Sequence, residues 1–239
     1  MDVIGIIGAM DKEVDDLKMV MMTDSSGEEV KVERHASLDF YIGKLSGKSV
    51  VLVRSGIGKV NAAIAAEALA GIFKVDAIIN TGMAGSLDRR INIGDIVLST
   101  DALEHDMDYT ALGFRRGIVP DQGESVYESD DYLRQTAKAA CQKVCPYIGV
   151  HEGRVVSGDQ FVSSHEMKED LAKTFHALCT EMEGASVAHT AYANGIPYLV
   201  IRSISDKADD SADMDYPTFQ RMAIENSVKL VVQMMSMLK

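Results

Sequence analysis

The stretch Val3-Ile4-Gly5-Ile6-Ile7-Gly8, followed by Ala9-Met10-Asp11-Lys12-Glu13-Val14, decides the architecture. An apolar run of this length ending in glycine reads as a strand buried on both faces, because a half-exposed strand would alternate with polar residues. Val14, Leu17 and Met21 then recur at helical spacing across 12–22. Further along, 30–35 and 40–45 read as strands, and Ser46-Gly47-Lys48 turns into another strand at 49–54. An Ala-rich helix covers 60–73. Strands follow at 77–81, ending at Gly82, and at 94–100. The pattern continues with a helix over 132–145 stopped by Pro146, a strand at 153–157 and a helix over 168–175. A strand at 177–182, a helix over 184–193 closed by Asn194-Gly195, the very apolar strand 197–205 and a final helix over 216–238 complete it. This alternation predicts one α/β domain spanning 1–239, with a mixed, largely parallel sheet and helices on both faces.

The core must be aliphatic and methionine-filled: hydrophobic residues make up 46%, aromatics 6%, Met numbers 14 and Trp is absent. A net charge of −12 excludes nucleic acid and anionic membranes as partners, since both demand a basic surface. Cys141, Cys145 and Cys179 are too few and scattered for a disulfide framework and read as buried thiols. The start of the chain lacks a basic segment, its apolar run is too short for a secretory signal, and no stretch reaches the ~20 apolar residues of a membrane span. The expectation is a cytoplasmic protein.

Ligands of α/β sheets bind beyond the carboxyl ends of the strands, so the polar residues after each apolar run are the places to inspect. Five stand out. In GAMDKEV, Glu13 reads either as a first-turn acid favouring the helix dipole or as a general base turned into a cleft. In SGIGK, 55–59, glycines permit close backbone approach and the following helix offers free N–H groups, though a plain tight turn reads as well; the spacing matches no nucleotide-phosphate loop. NTGMAGS, 80–86, is a small-residue loop, or simply a turn with glycine at positive φ. EMEG, 181–184, sets two carboxylates at a strand end, suited to a ribose diol, with helix capping by Glu183 as the competing reading. In RSISD, 202–206, a turn at Ser205-Asp206 would let Arg202 and Asp206 line one cleft; the competing reading is an Arg–Asp ion pair. The EHDMD cluster, 104–108, carries metal-ligand residue types, but its alternation fits a polar strand edge better. Met222, Met234, Met235 and Met237 form a core or interface stripe. Ser55 and Ser157 lack the setting of a serine nucleophile.

Taken together and in this order, IGIIGAM with its following acid, SGIGK, NTG-x-AG, SGDxF, EME and RSISD-x-AD resemble the 5′-methylthioadenosine/S-adenosylhomocysteine nucleosidase family of the nucleoside phosphorylase superfamily, over nearly the whole chain. The resemblance implies a three-layer αβα sandwich, a homodimer and hydrolysis of an adenine nucleoside with no metal or cofactor. It also implies roles. Glu13 looks like the acid that activates water, helped by Arg202, and Asp206 like the acid that protonates the purine. Glu183, beside Glu181, looks like the carboxylate on the ribose hydroxyls, with Met182 beneath the sugar. Phe161 resembles the residue stacked on adenine, and the Val162 backbone the reader of its edge. Ile57 and Tyr216 match an alkylthio pocket, Ala9 and Ser205 further contacts, and Leu112 and Pro120 residues reaching into a neighbouring subunit's pocket. Met83 departs from the family pattern, standing where many members carry a small hydroxyl residue near the water; Gly184 and Ser186 also differ from the commoner form.

Glycosidic cleavage builds positive charge on the sugar and negative charge on the leaving purine, so it calls for one acid and one base, each worth roughly 10²- to 10⁴-fold. Three other readings remain: a phosphate-dependent phosphorylase, which needs an arginine-rich anion site; a hydrolase of another adenine nucleoside such as 6-amino-6-deoxyfutalosine or 5′-deoxyadenosine; and a non-catalytic nucleoside-binding protein. Intact Glu13, Arg202 and Asp206 argue against the last.

Overall fold

In a computed structural model, residues 1–24, 29–207 and 216–239 are described, without the side chains of 216–218. The chain runs β1 (Val3–Gly8), α1 (Asp11–Met22), β2 (Lys31–His35), β3 (Leu38–Leu45), β4 (Lys48–Arg54), α2 (Lys59–Gly71), β5 (Ala77–Ser86) and β6 (Ile96–Glu104). It continues through a 3-10 turn (Thr110–Leu112), β7 (Tyr127–Glu128), α3 (Asp131–Val144), β8 (Val150–Ser157), α4 (His165–Phe175), β9 (Cys179–Glu181), α5 (Gly184–Asn194), β10 (Tyr198–Asp206) and α6 (Tyr216–Met237).

The sheet is mixed. Its centre, β4-β1-β5-β10, is parallel throughout, while β2, β3 and β4 form an antiparallel meander on one side. On the other side the sheet curls. β10 pairs antiparallel with β6, β6 and β8 run parallel, β8 and β9 run parallel, and β9 returns antiparallel to the far end of β5. Five strands thus close a ring, which leaves β2 as a free edge among the described residues.

Helices cover both faces, as the three-layer expectation requires. Val14, Leu17 and Met21 of α1, Leu133 and Ala137 of α3, and Leu230 and Met234 of α6 pack on Ile4, Ile6, Leu52 and Ile79. On the opposite face, Ala62, Ala65, Ala66 and Leu69 of α2 and Ala185 and Ala188 of α5 pack on Ile7, Val51, Val53, Ile78 and Val200. Each fully buried Ile, Leu or Val contributes about 1.5–3 kcal/mol, and the alanines let the helices lie close to the sheet and to each other. Of the methionine stripe, Met234 and Met235 are buried core, while Met222 is 38% exposed. All three cysteines are buried and free. Among the described residues no helix is long and apolar enough to cross a membrane.

The main departure from expectation concerns NTGMAGS. It does not turn after Thr81 but continues as strand to Ser86, and neither Gly82 nor Gly85 has a positive φ. Glycines break the apolar pattern that marks a strand, yet pairing with β10 on one side and β9 on the other holds the backbone extended.

Candidate active site

A cavity of about 190 Å³ opens at the carboxyl ends of β1, β5, β9 and β10. All five inspected segments reach it: Ala9, Met10 and Glu13 from the first, Ile57 from the second, Met83, Ala84 and Gly85 from the third, Glu181, Met182 and Glu183 from the fourth, and Ser205 and Asp206 from the last. The loop after β8 adds Gln160, Phe161 and Val162.

Glu13 caps the start of α1 and also lines the cavity. One carboxylate oxygen, Oε2, accepts from the amides of Ala9 (2.8 Å) and Met10 (3.0 Å), capping α1. The other, Oε1, accepts from the Met83 amide at 3.2 Å. So Met83 meets the site through its backbone. Burial pushes Glu13 above the usual carboxylate range, against the Arg202 guanidinium and these three amides. A carboxylate raised in this way holds a proton more strongly than a free one does. Gly82 is required here: a Cβ would sit 2.7 Å from Arg202 Nη1 and 2.8 Å from Glu13 Oε1.

Arg202 is 2% exposed and lies behind the cavity wall rather than in it. The expectation that Arg202 and Asp206 share one cleft is therefore corrected, and so is the alternative that they pair with each other. Arg202 instead donates to Glu181 and to Asn80, while Asp206 is held by Lys168. In an unbroken strand residues four apart share a face, but the register shift between Ile204 and Asp206 turns the two side chains apart. Arg202 acts on Glu13 through its charge, its ion pair being with Glu181.

Glu181 is saturated inside the protein. It takes Arg202, the Ser157 hydroxyl and the amides of Glu183 (2.9 Å) and Gly184 (2.8 Å). Burial opposes its ionisation, but Arg202, Ser157 and the amides hold its carboxyl below the usual range. Glu181, not Glu183, therefore caps α5. Glu183 turns the other way and accepts from the Gly58 amide at 2.8 Å, so the anion at the start of α2 comes from the protein itself. Asp159 takes the next amide, that of Lys59, also at 2.8 Å. Burial and then the neighbouring Glu181 charge push Glu183 up to about 7, against Arg202 and Gly58.

Asp206 Oδ2 accepts from Lys168 Nζ at 2.7 Å, and Oδ1 from the Ser205 hydroxyl at 3.1 Å. Phe161, 73% exposed, and Ile57, 54% exposed, stand at the cavity mouth, while Val162 is buried behind them. Tyr216 begins α6, but its side chain lies outside the described residues. Leu112 (69% exposed) and the half-buried Pro120 do not line this chain's own cavity.

The EHDMD cluster is not the expected strand edge, since the strand stops at its first residue. Glu104 ends β6, and Glu104 and Asp106 grip Lys59 at 2.8 and 2.7 Å. The His189 hydrogen bond, then Lys59, bring Glu104 down to about 2. No group of three or more metal-ligating side chains occurs among the described residues. Sequence reasoning missed Lys168 and Thr180 at the site, and it quoted SGDxF without giving Ser157 or Gln160 a place there. Lys168 left a signal as a cation in the first turn of a helix, where the dipole disfavours it.

Glu183 generates a prediction. Its carboxyl is raised from an ordinary 4.5 to about 7, so between those pH values the folded chain binds more protons than the unfolded one. Its contribution to stability therefore falls as pH rises through that window. Glu183→Gln cannot ionise and escapes the loss, so its Tm relative to the parent should be more favourable at pH 8 than at pH 5. Equal Tm differences at both pH values, measured by circular dichroism, contradict this.

The sequence profile of the phosphorylase superfamily matches residues 3–236. A 5′-methylthioadenosine/S-adenosylhomocysteine nucleosidase of Halalkalibacterium halodurans is 41% identical over 230 residues, 96% of each chain. The solved nucleosidase of the same name from Neisseria meningitidis, in complex with methylthio-immucillin-A, superposes with a TM-score of 0.90 at 37% identity over 100% of both chains. A futalosine hydrolase of Helicobacter pylori superposes with a TM-score of 0.89 at 32% identity, covering 99% of this chain and 98% of that one. With its strand-end carboxylates, its sheet and its full-length matches in agreement, the chain belongs to the 5′-methylthioadenosine/S-adenosylhomocysteine nucleosidase family of the phosphorylase superfamily.

Proposed function

We propose that the protein hydrolyses the N-glycosidic bond of 5′-methylthioadenosine and S-adenosylhomocysteine, releasing adenine and the thioribose product. The carrying observation is the charge of the cavity wall. Glu13, Glu181, Glu183 and Asp206 line it, and among the described residues no lysine or arginine does. A phosphate nucleophile would need cations there. Arg202 is spent on Glu181, and Arg54, Arg89 and Arg90 face Asp11, Glu169 and Asp88. Such a wall favours neutral water.

In this reading Asp206 gives a proton to the purine's imidazole-side nitrogen as the glycosidic electron pair moves onto the base. Water adds to the sugar carbon and yields its proton to Glu13; exchange with solvent returns both acids to their starting states. Glu183, with Oε1 held by Gly58, offers Oε2 to the ribose hydroxyls. Met182 packs beneath the sugar, Phe161 stacks on adenine and the Val162 backbone reads its edge. Ile57 and Tyr216 enclose the alkylthio group, and Ala9 and Ser205 supply further contacts. Glu181 acts through the protein, fixing Arg202 and the start of α5. The reaction takes place in the cytoplasm, a reading supported by the three unpaired cysteines.

The likeness to a futalosine hydrolase supports a second reading, in which a futalosine-type adenine nucleoside is the preferred substrate. Comparing kcat/KM across methylthioadenosine, S-adenosylhomocysteine, adenosine and aminodeoxyfutalosine ranks the two. In either case purified protein should release adenine in phosphate-free buffer, and dependence on added phosphate would sink the hydrolase reading. Glu13→Gln should lower kcat by at least ~10²-fold, about 3 kcal/mol in the barrier, while nucleoside binding measured by calorimetry persists. Wild-type turnover in that variant removes Glu13 from its role.

We further propose a homodimer in which Leu112 and Pro120 complete the partner's pocket. Support comes from large apolar side chains left exposed: Ile57 and Phe161 at the cavity mouth, and Val60, Ile64, Leu112 and Phe114 elsewhere on the surface. Sedimentation at micromolar concentration should give a dimer, and Leu112→Arg should weaken both dimer and turnover. A fully active monomer refutes the shared pocket.

A further inference from the structure

Lys168 is an unexpected cation. It lies in the first turn of α4, whose start is capped by Ser164, so its charge opposes the helix dipole. Its side chain is only 10% exposed, and removing an ammonium from water is costly unless it is paired. Both costs are offset at one place. Nζ donates to Asp206 Oδ2 at 2.7 Å and to the Lys207 carbonyl at 2.7 Å. Lys168 thus grips the side chain and the main chain where β10 ends, one step past the register shift that turns Asp206 into the cavity. Gly85 makes room for the pair, since a Cβ there would sit 2.9 Å from Oδ2.

We infer that Lys168 is a positioning residue for the departure of the purine. Its ammonium fixes Asp206 Oδ2, leaving Oδ1, held otherwise by the Ser205 hydroxyl at 3.1 Å, as the oxygen turned to the base, and stays beside the carboxylate formed when the proton has gone. This rests on the reading of Asp206 as the acid of the reaction. Lys168 is not among the residues that line the cavity, so it acts through Asp206. Its effect should therefore fall on kcat rather than on KM. A rigidly held acid matters because displacement by ~1 Å can cost about 10²-fold in rate.

The test is a set of four variants, Lys168→Met, Lys168→Arg, Asp206→Asn and the Lys168→Met/Asp206→Asn double, assayed for adenine release with melting curves for each. Lys168→Met should lose roughly 10- to 100-fold in kcat with KM within about threefold, while Lys168→Arg, which keeps the cation, recovers most of the rate. On the residual turnover of Asp206→Asn, adding Lys168→Met should change kcat by less than about twofold, because the two residues act as one unit. Lys168→Met turnover near wild type with Asp206→Asn inactive overturns the role of Lys168 and leaves Asp206 in place. An equal loss in both backgrounds, or a loss Lys168→Arg does not recover, also overturns it by marking Lys168 as a mere tie between α4 and β10. Full activity of Asp206→Asn removes the acid itself, and the inference falls with it.

Discussion

The buried pair of Arg202 and Glu181 is the constraint on which the site depends. Both side chains are almost wholly inaccessible, at 2% and 3% exposure, so neither charge can exist there without the other. Each then orders its neighbours. Glu181 caps α5 and fixes the backbone that carries Met182 and Glu183. Arg202 ties Asn80 of β5 to β10 and places positive charge behind Glu13. Removing one partner would leave an uncompensated charge, a loss of about 3–5 kcal/mol. The wall facing the cavity can be strongly acidic because a cation sits behind it.

This pairing also divides the work among the acids. Glu181 is spent on structure, while Glu13 and Glu183 are raised by burial and keep oxygens toward the cavity. Carboxylates within one small volume are pushed apart in proton affinity by what each touches, which is the usual basis for assigning separate roles.

Much of this was legible in the sequence. Continuous apolar runs announced the inner strands, and the polar residues after them marked the five segments that converge on the cavity. Two kinds of feature were not legible. Glycine-rich NTGMAGS looks like a loop because glycine has no strand preference of its own; only its neighbours β9 and β10 make it one. Long-range pairings leave no local trace either. Nothing in RSISD says that Arg202 meets Glu181 twenty-one residues earlier, or that Asp206 meets a lysine on α4. Nor does the sequence say that one carboxylate, that of Glu13, both caps a helix and lines the cavity.

The curled half of the sheet has a further meaning. Because β5, β10, β6, β8 and β9 close on themselves, that side offers no row of unpaired amides and carbonyls to another chain. Besides the two-residue β7, the open edge among the described residues is β2, Lys31-Val32-Glu33-Arg34-His35, and it is short, solvent-facing and charged with both signs. A stranger strand docking there would have to strip water from Lys31, Glu33 and Arg34. The same curl that brings the ends of β5, β9 and β10 around the cavity thus guards a methionine-rich, strand-rich chain against stacking into aggregates.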